Sequence, residues 1–342
     1  MVSAWDIYAE QLVTLGYGHP LWVPEPCVES GEICIGDVGY LRAGGFRFIF
    51  SSMKEQDNPR NTRVGVPQGF QPFRPPGHQL VCRPNEIMQG QLHSANLRLT
   101  TLSGGVSVDA PATSGNAILR YHCSDSSGAI LLLKRAGHYE LLDCRLHIKT
   151  YMLEHFSRWH EFANGDLGIG LQEKEILFVS GFIKTTEWAA AAVRSGGSNG
   201  ELSISGGFLP LASESGEFSV SMTRCDSPAV FYRSGPTRSE TERLTSENVA
   251  ASDQCIFLHY YKMKSRIIWP TIRAAAGPHN LPPVSEDPEH DIIDNLGLED
   301  IESTHDNPDV CISFALTSRV CQSSTFQKFD PVGCLLDYIL EV

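Results

Sequence analysis

Glycine and proline cut this chain into short pieces. The 342 residues include 30 Gly and 20 Pro, spread along the whole length, so turns recur often and most of the elements between them are short. Such a chain is confined to many short strands joined by turns. Sixteen Phe and ten Tyr supply side chains suited to a pleated, half-buried surface. An apolar share of 42% against 20% charged is enough to pack a core, and the length suits one large domain or two modest ones. The expected fold is therefore α+β, a largely antiparallel twisted sheet or sandwich with a few flanking helices.

Local patterns place the elements. Ser3 reads as the N-cap of a first helix, with Asp6 in its opening turn and Gly16 as its stop. Residues 33–50 read as strand, turn at Ala43-Gly44-Gly45, and strand. Residues 51–79 carry five prolines and read as loop. Strands follow near 97–102, 117–123 and 129–134, the last two joined as a hairpin across 124–128. The clearest helix is expected over 143–163, where Leu142, Leu146, Leu153, Phe156 and Trp159 fall on one stripe. Long strands are expected over 176–188 and 255–269, shorter alternating ones over 202–208 and 217–223. The domain reading is a main body over 1–283, an acidic linker over 284–310, and a terminal strand and helix over 311–342 that dock on the body. The stripe Val332, Leu335, Leu336, Ile339 and Leu340 is the reason for that docking.

Charge is segregated. Of a formal net charge of −13, ten carboxylates lie between Glu286 and Asp309, and no Lys or Arg occurs between Arg273 and Arg319. The remaining body is nearly neutral, which disfavours nucleic acid as a partner. No apolar run approaches the roughly 20 residues that cross a bilayer as a helix, and the N-terminus lacks the basic flank and apolar stretch of a secretion signal. Ten scattered cysteines without a C-x-x-C pair read as reduced thiols, and no Asn-x-Ser/Thr sequon occurs. A cytoplasmic protein is expected.

Catalytic motifs fail on context. Gly196-Gly197-Ser198-Asn199-Gly200 matches G-x-S-x-G, but the strand-like Glu201 to Ser205 follows it where a nucleophile elbow needs a helix. His147, His155 and His160 share one helix without the four-residue spacing of a metal pair, and a wet helix face is the expectation for them. No enzyme, metal or cofactor is implied.

Two features are left. Leu202, Ile204 and Phe208, then Phe218, Val220 and Met222, alternate with small hydroxylic residues in two segments a turn apart. A membrane-inserting hairpin needs this pattern, and so does a soluble sandwich with core inside and water outside. In the 255–269 strand, period two aligns Lys262, Lys264 and Arg266 on one face. Those cations suit lipid or nucleotide phosphates, or the lysine protection of a strand edge.

With these residues laid out, the chain resembles a family of uncharacterised proteins numerous in mushroom-forming fungi. The resemblance lies in Leu15-Gly-Tyr-Gly-His-Pro-Leu-Trp-Val-Pro-Glu-Pro26, Ile35-Gly-Asp-Val-Gly-Tyr40, Phe178-Val-Ser-Gly-Phe-Ile-Lys-Thr-Thr-Glu-Trp188, Arg233-Ser-Gly-Pro236, Ala274-Ala-Ala-Gly-Pro278 and the Asp330-Pro331 helix. It brings no activity with it. In order of elements alone, the chain is also similar to gasdermin pore-forming domains. That likeness implies a latent, self-assembling pore former in cell death or defence, acting on an anionic membrane, with the acidic linker and last helix as restraint. The rival expectation is a soluble ligand- or protein-binding module whose acidic linker recruits a partner.

Overall fold

The computed structural model of the chain describes residues 2–75, 77, 79–103, 118–194, 200–205, 218–223, 229–236, 252–263 and 310–311. Three α-helices, a π-helical turn (Phe162–Asp166), a 3-10 turn (Glu173–Glu175) and sixteen strands are described there. The helices are α1 (Ala4–Val13), α2 (Pro59–Thr62) and α3 (Arg145–Glu161). The first nine strands are β1 (His19–Pro20), β2 (Asp37–Arg42), β3 (Gly45–Ser51), β4 (Leu80–Ile87), β5 (Gly90–His93), β6 (Leu97–Ser103), β7 (Ile118–Cys123), β8 (Ser127–Leu133) and β9 (Gly137–Leu142). The rest are β10 (Leu177–Thr185), β11 (Trp188–Arg194), β12 (Gly200–Ser205), β13 (Ser219–Thr223), β14 (Ala229–Gly235), β15 (Gln254–Met263) and β16 (Val310–Cys311). Every pairing among them is antiparallel. The fold is α+β.

One large sheet runs β1-β15-β10-β2-β3, with β9 and β4 continuing from β10 and β16 added to β15. Helix α3 covers one face of it: Ile148, Met152, Phe156 and Trp159 meet Val38, Phe50, Phe178 and Met263. Trp159 stacks on Phe178 with ring centres 6.4 Å apart. Leu21, Phe46, Val179, Phe182 and Leu258 form the core on the other face. Being covered twice, β10 is buried at every residue, which is why its sequence is mostly apolar and does not alternate. The β2–β3 turn uses Ala43 at φ 50° and Gly44 at φ 76°, the left-handed pair that a twisted two-residue hairpin requires.

Two further sheets of four strands form a sandwich, β14-β11-β8-β5 against β13-β12-β7-β6. Tyr121, Leu119, Leu202, Ile204 and Val220 of the second meet Ile130, Leu132, Ala189, Ala191 and Val193 of the first. The first sheet is buried on its other face too, where Ala4, Ile7, Tyr8 and Leu12 of α1 pack on Ala129, Leu131, Leu133, Ala190 and Ala192. The order is helix, sheet, sheet. A strand with layers on both sides needs small side chains where the layers approach, and β11 supplies four successive alanines.

Several expectations change. Strands β7 and β8 do not pair. The turn after Cys123 carries the chain from one sheet of the sandwich to the other, so that Tyr121 and Cys123 face Ile130 and Leu132 across the core. The long strand expected over 176–188 is two strands, and the chain changes sheet between Thr185 and Trp188. On α3 the buried stripe is Ile148, Tyr151, Met152, His155, Phe156 and Trp159, while Leu146 is 75% exposed. The leucines suggested a helix phase that the aromatic residues displace, because their larger area decides which side is buried. His155 is buried and His160 bonds the Leu171 carbonyl, so neither lies on a wet face. Residues 196–199 of the G-x-S-x-G match, most of 284–310 and the segment expected to form the last helix lie outside the described residues.

Candidate functional site

The hairpin singled out by its alternation is present. Strands β12 and β13 pair in the register Leu202 with Met222, Ser203 with Ser221, Ile204 with Val220 and Ser205 with Ser219. Its apolar side points inward: Leu202 and Ile204 are fully buried, Val220 is buried, and Phe218 and Met222 pack against the same core. Phe208 lies outside the described residues.

Opposite that core, the pleat places polar residues on the outer face of the sheet. Pairings align Arg98, His122, Glu201 and Thr223 in one row, and Arg120, Ser203 and Ser221 in the next, with Ser205 beside Ser219 in a third. Arg98, Arg120, His122, Ser219, Ser221 and Thr223 are exposed, and Glu201, Ser203 and Ser205 are half-buried. Arg120 leans on Glu201 at 3.7 Å, the Ser205 and Ser219 hydroxyls bond at 2.8 Å, and Thr223 donates to the Glu201 carbonyl. Two guanidinium groups against one carboxylate leave a net positive face about four strands, roughly 15 Å, wide. Its groups are hydrogen-bond donors of the kind that hold carboxylates.

Of the three cations expected on one strand face, Lys262 is only 3% exposed. It sits on β15, an interior strand flanked by β10 and β16, opposite Leu177 and Cys311. A wet strand edge is therefore not its environment. Lys264 and Arg266 lie outside the described residues.

Sequence reading passed over a second polar cluster. The segment 21–36 is tied down by carboxylates each met by a cation from a different element. Glu25 bonds Arg233 of β14, Glu32 bonds Lys184 of β10 at 2.8 Å, and Asp37 at the start of β2 bonds Arg60 of α2 at 2.6 Å. Arg60 also donates to the Glu32 carbonyl and to Cys34 Sγ, and lies 4.9 Å above the Phe48 ring. Asp37 is fully buried and accepts the Cys34 N–H at 2.8 Å. Burial pushes its carboxyl up to about 6 although Arg60 pulls the other way. In the same segment, backbone N–H groups of Ser30 and Glu29 hold the Cys27 thiol below its usual range, and burial raises that of Cys34. The signal available in the sequence was only the clustering of Glu25, Glu32 and Asp37 near prolines and glycines; their partners lie up to 208 residues away.

This cluster encloses a recess of about 20 Å³, lined by Glu25, Cys27, Glu32, Asp37, Phe48 and Arg60. That is room for one water, whereas ligand pockets hold roughly 300–1,000 Å³. The cluster fastens the segment leading into β2 to three other elements of the body. Beside it, Asn61 acts as a strand-edge mimic: its amide accepts from Ser51 N–H and donates to the carbonyls of Ser51, Lys54 and Glu55. Asn61→Ala strands these buried groups, and a loss of about 3 kcal/mol is expected in a urea melt.

Among the described residues, no group of three or more His, Cys, Asp or Glu side chains could hold a metal ion, and no helix is long and apolar enough to cross a membrane. Cys27, Cys34, Cys82, Cys123, Cys144 and Cys255 are free thiols, the last three of them buried. Comparison with family models and with curated proteins gives no match.

Proposed function

We propose that this chain is a non-enzymatic binding protein that holds an acidic protein segment on the outer face of its β13-β12-β7-β6 sheet. One observation carries the reading: the hairpin's apolar side is spent on the sandwich core, and its outward hydroxyls and Glu201 share the sheet's outer face with Arg98 of β6 and Arg120 and His122 of β7. Arginine pairs with carboxylates through two parallel donors, and serine and threonine hydroxyls add further ones. A flat sheet face suits an extended peptide.

An anionic bilayer fits that face less well. Surface binding to lipid draws on clusters of four to eight cations, each contributing about 1 kcal/mol, or on apolar anchors. The two arginines are offset by Glu201, and the described outward-facing residues include no aromatic anchor. Pore formation asks still more, since β12 and β13 would have to leave Leu119, Tyr121, Ile130 and Leu132 uncovered.

A labelled polyglutamate peptide tests the reading by fluorescence anisotropy at low salt. The full chain is expected to bind it, and the double variant Arg98→Ser, Arg120→Ser to bind at least fivefold more weakly. Binding should also fall as salt rises. Equal affinity of the two proteins, or no binding by either, would overturn the assignment of this face.

A further inference from the structure

We infer that Arg98, Arg120 and His122 together seat one phosphoryl group, carried on a phosphoserine- or phosphothreonine-bearing segment of a partner protein. This rests on the reading above and names the anion that the face selects.

Strand register is the first support. Arg98 of β6 lies directly opposite His122 of β7, and Arg120 stands two residues from His122 along β7, on the same side of the pleat. Opposed residues hold their Cβ atoms about 5 Å apart, and two steps along a strand cover roughly 6.6 Å. Two guanidinium groups and an imidazole rising from so small a triangle can converge on a single anion. All three residues are exposed, so an incoming group meets them without any part of the core being opened. Glu201, the neighbour of His122 on β12, stands 3.7 Å from the Arg120 guanidinium. A contact that long directs Arg120 across the face and leaves most of its donors unused. Ser203 and Ser221 continue the Arg120 row and offer hydroxyls to the segment that carries the phosphate.

Charge and shape are the second support. Two guanidinium groups against one carboxylate leave the seat net positive, and attraction to a positive site grows with the charge brought to it. A phosphoserine brings about −1.5 to −2 and three acceptor oxygens, whereas a carboxylate brings a single charge and two oxygens. One arginine fork already matches a carboxylate, so the second arginine and the imidazole gain partners only from the larger anion. Lipid headgroups carry the same phosphate chemistry, but binding to a bilayer surface draws on four to eight cations, and this seat has two arginines.

The test uses the full chain and three labelled peptides of one neutral sequence, with phosphoserine, glutamate or serine at the centre, alongside the polyglutamate peptide. Anisotropy at low salt is expected to show the phosphoserine peptide binding roughly tenfold more tightly than the glutamate peptide, the effect of one further charge-assisted hydrogen bond. Arg98→Ser combined with Arg120→Ser should abolish that advantage. Equal affinity for the phosphoserine and glutamate peptides, with polyglutamate still bound, would sink the phosphate seat and leave the acidic preference standing. Phosphoserine binding without polyglutamate binding would keep the seat and remove the earlier reading. Binding of neither would remove both. Inorganic phosphate, or vesicles of phosphatidylserine and phosphatidylcholine, should compete far more weakly than unlabelled phosphopeptide; competition as strong from either would make free phosphate or lipid the ligand and overturn the inference. An advantage that survives loss of both arginines would place the seat elsewhere and overturn it too.

Discussion

Asp37→Ala is expected to lower the unfolding free energy by about 3–5 kcal/mol, the cost of removing one member of a buried ion pair. Truncation leaves the Arg60 guanidinium, only 19% exposed, and the Cys34 N–H without their partner. Much of the loss is Arg60's own desolvation, so Arg60→Met added to Asp37→Leu should cost less than Asp37→Ala alone. Urea melts of Asp37→Ala, of the single variants Asp37→Leu and Arg60→Met, and of that pair combined check this, and strictly additive losses in the pair would refute the account. The pH dependence follows from the same group. The Asp37 carboxyl is raised from 3.8 to about 6 on folding, so between those values the folded state holds a proton that the unfolded state has released. Its contribution is fully present below about pH 4 and fades as pH rises past 6, by about 3 kcal/mol at most. The stability difference between the native chain and Asp37→Asn should therefore shrink from pH 4 to pH 7. A difference that grows over that window would show that the sign is wrong.

Ile204→Ala, and separately Leu202→Ala, should each cost about 2–5 kcal/mol, as for fully buried aliphatic side chains. Together they should unfold a protein of ordinary margin. This bears on function as well as stability. A hairpin held in reserve for lipid would sit loosely on the body and tolerate both changes, whereas one that closes a sandwich cannot. Dye release from anionic liposomes supplies the complementary measurement, with intact protein and with protein cut within 284–310. No release is expected from either. Release by the cut form, with the alanine variants stable, would restore the pore-forming reading over the binding one.

The hairpin itself was legible in the sequence because strand side chains alternate with period two, and Leu202, Ile204, Val220 and Met222 keep that period against Ser203, Ser221 and Thr223. Which side met water was not, since a lipid-facing and a core-facing hairpin share one pattern. β11 escaped notice because alanine is a poor strand former in isolation; it is placed there by two layers closing on it. Lys262 looked wet from its neighbours at two-residue spacing, yet β15 is flanked on both sides.

Local chemistry, then, determined the class of fold: glycine and proline spacing forced short elements, and alternation and helical stripes set most of their positions. Tertiary structure alone decided that Tyr121 faces Ile130 across a sandwich, that Arg233 reaches Glu25, and that Arg98, Arg120 and His122 share a face with the serines of β12 and β13. The physical reason is that side-chain periodicity is a property of a few neighbouring residues. Pairing between strands joins residues tens to hundreds of positions apart and is fixed only when all layers bury their apolar area together.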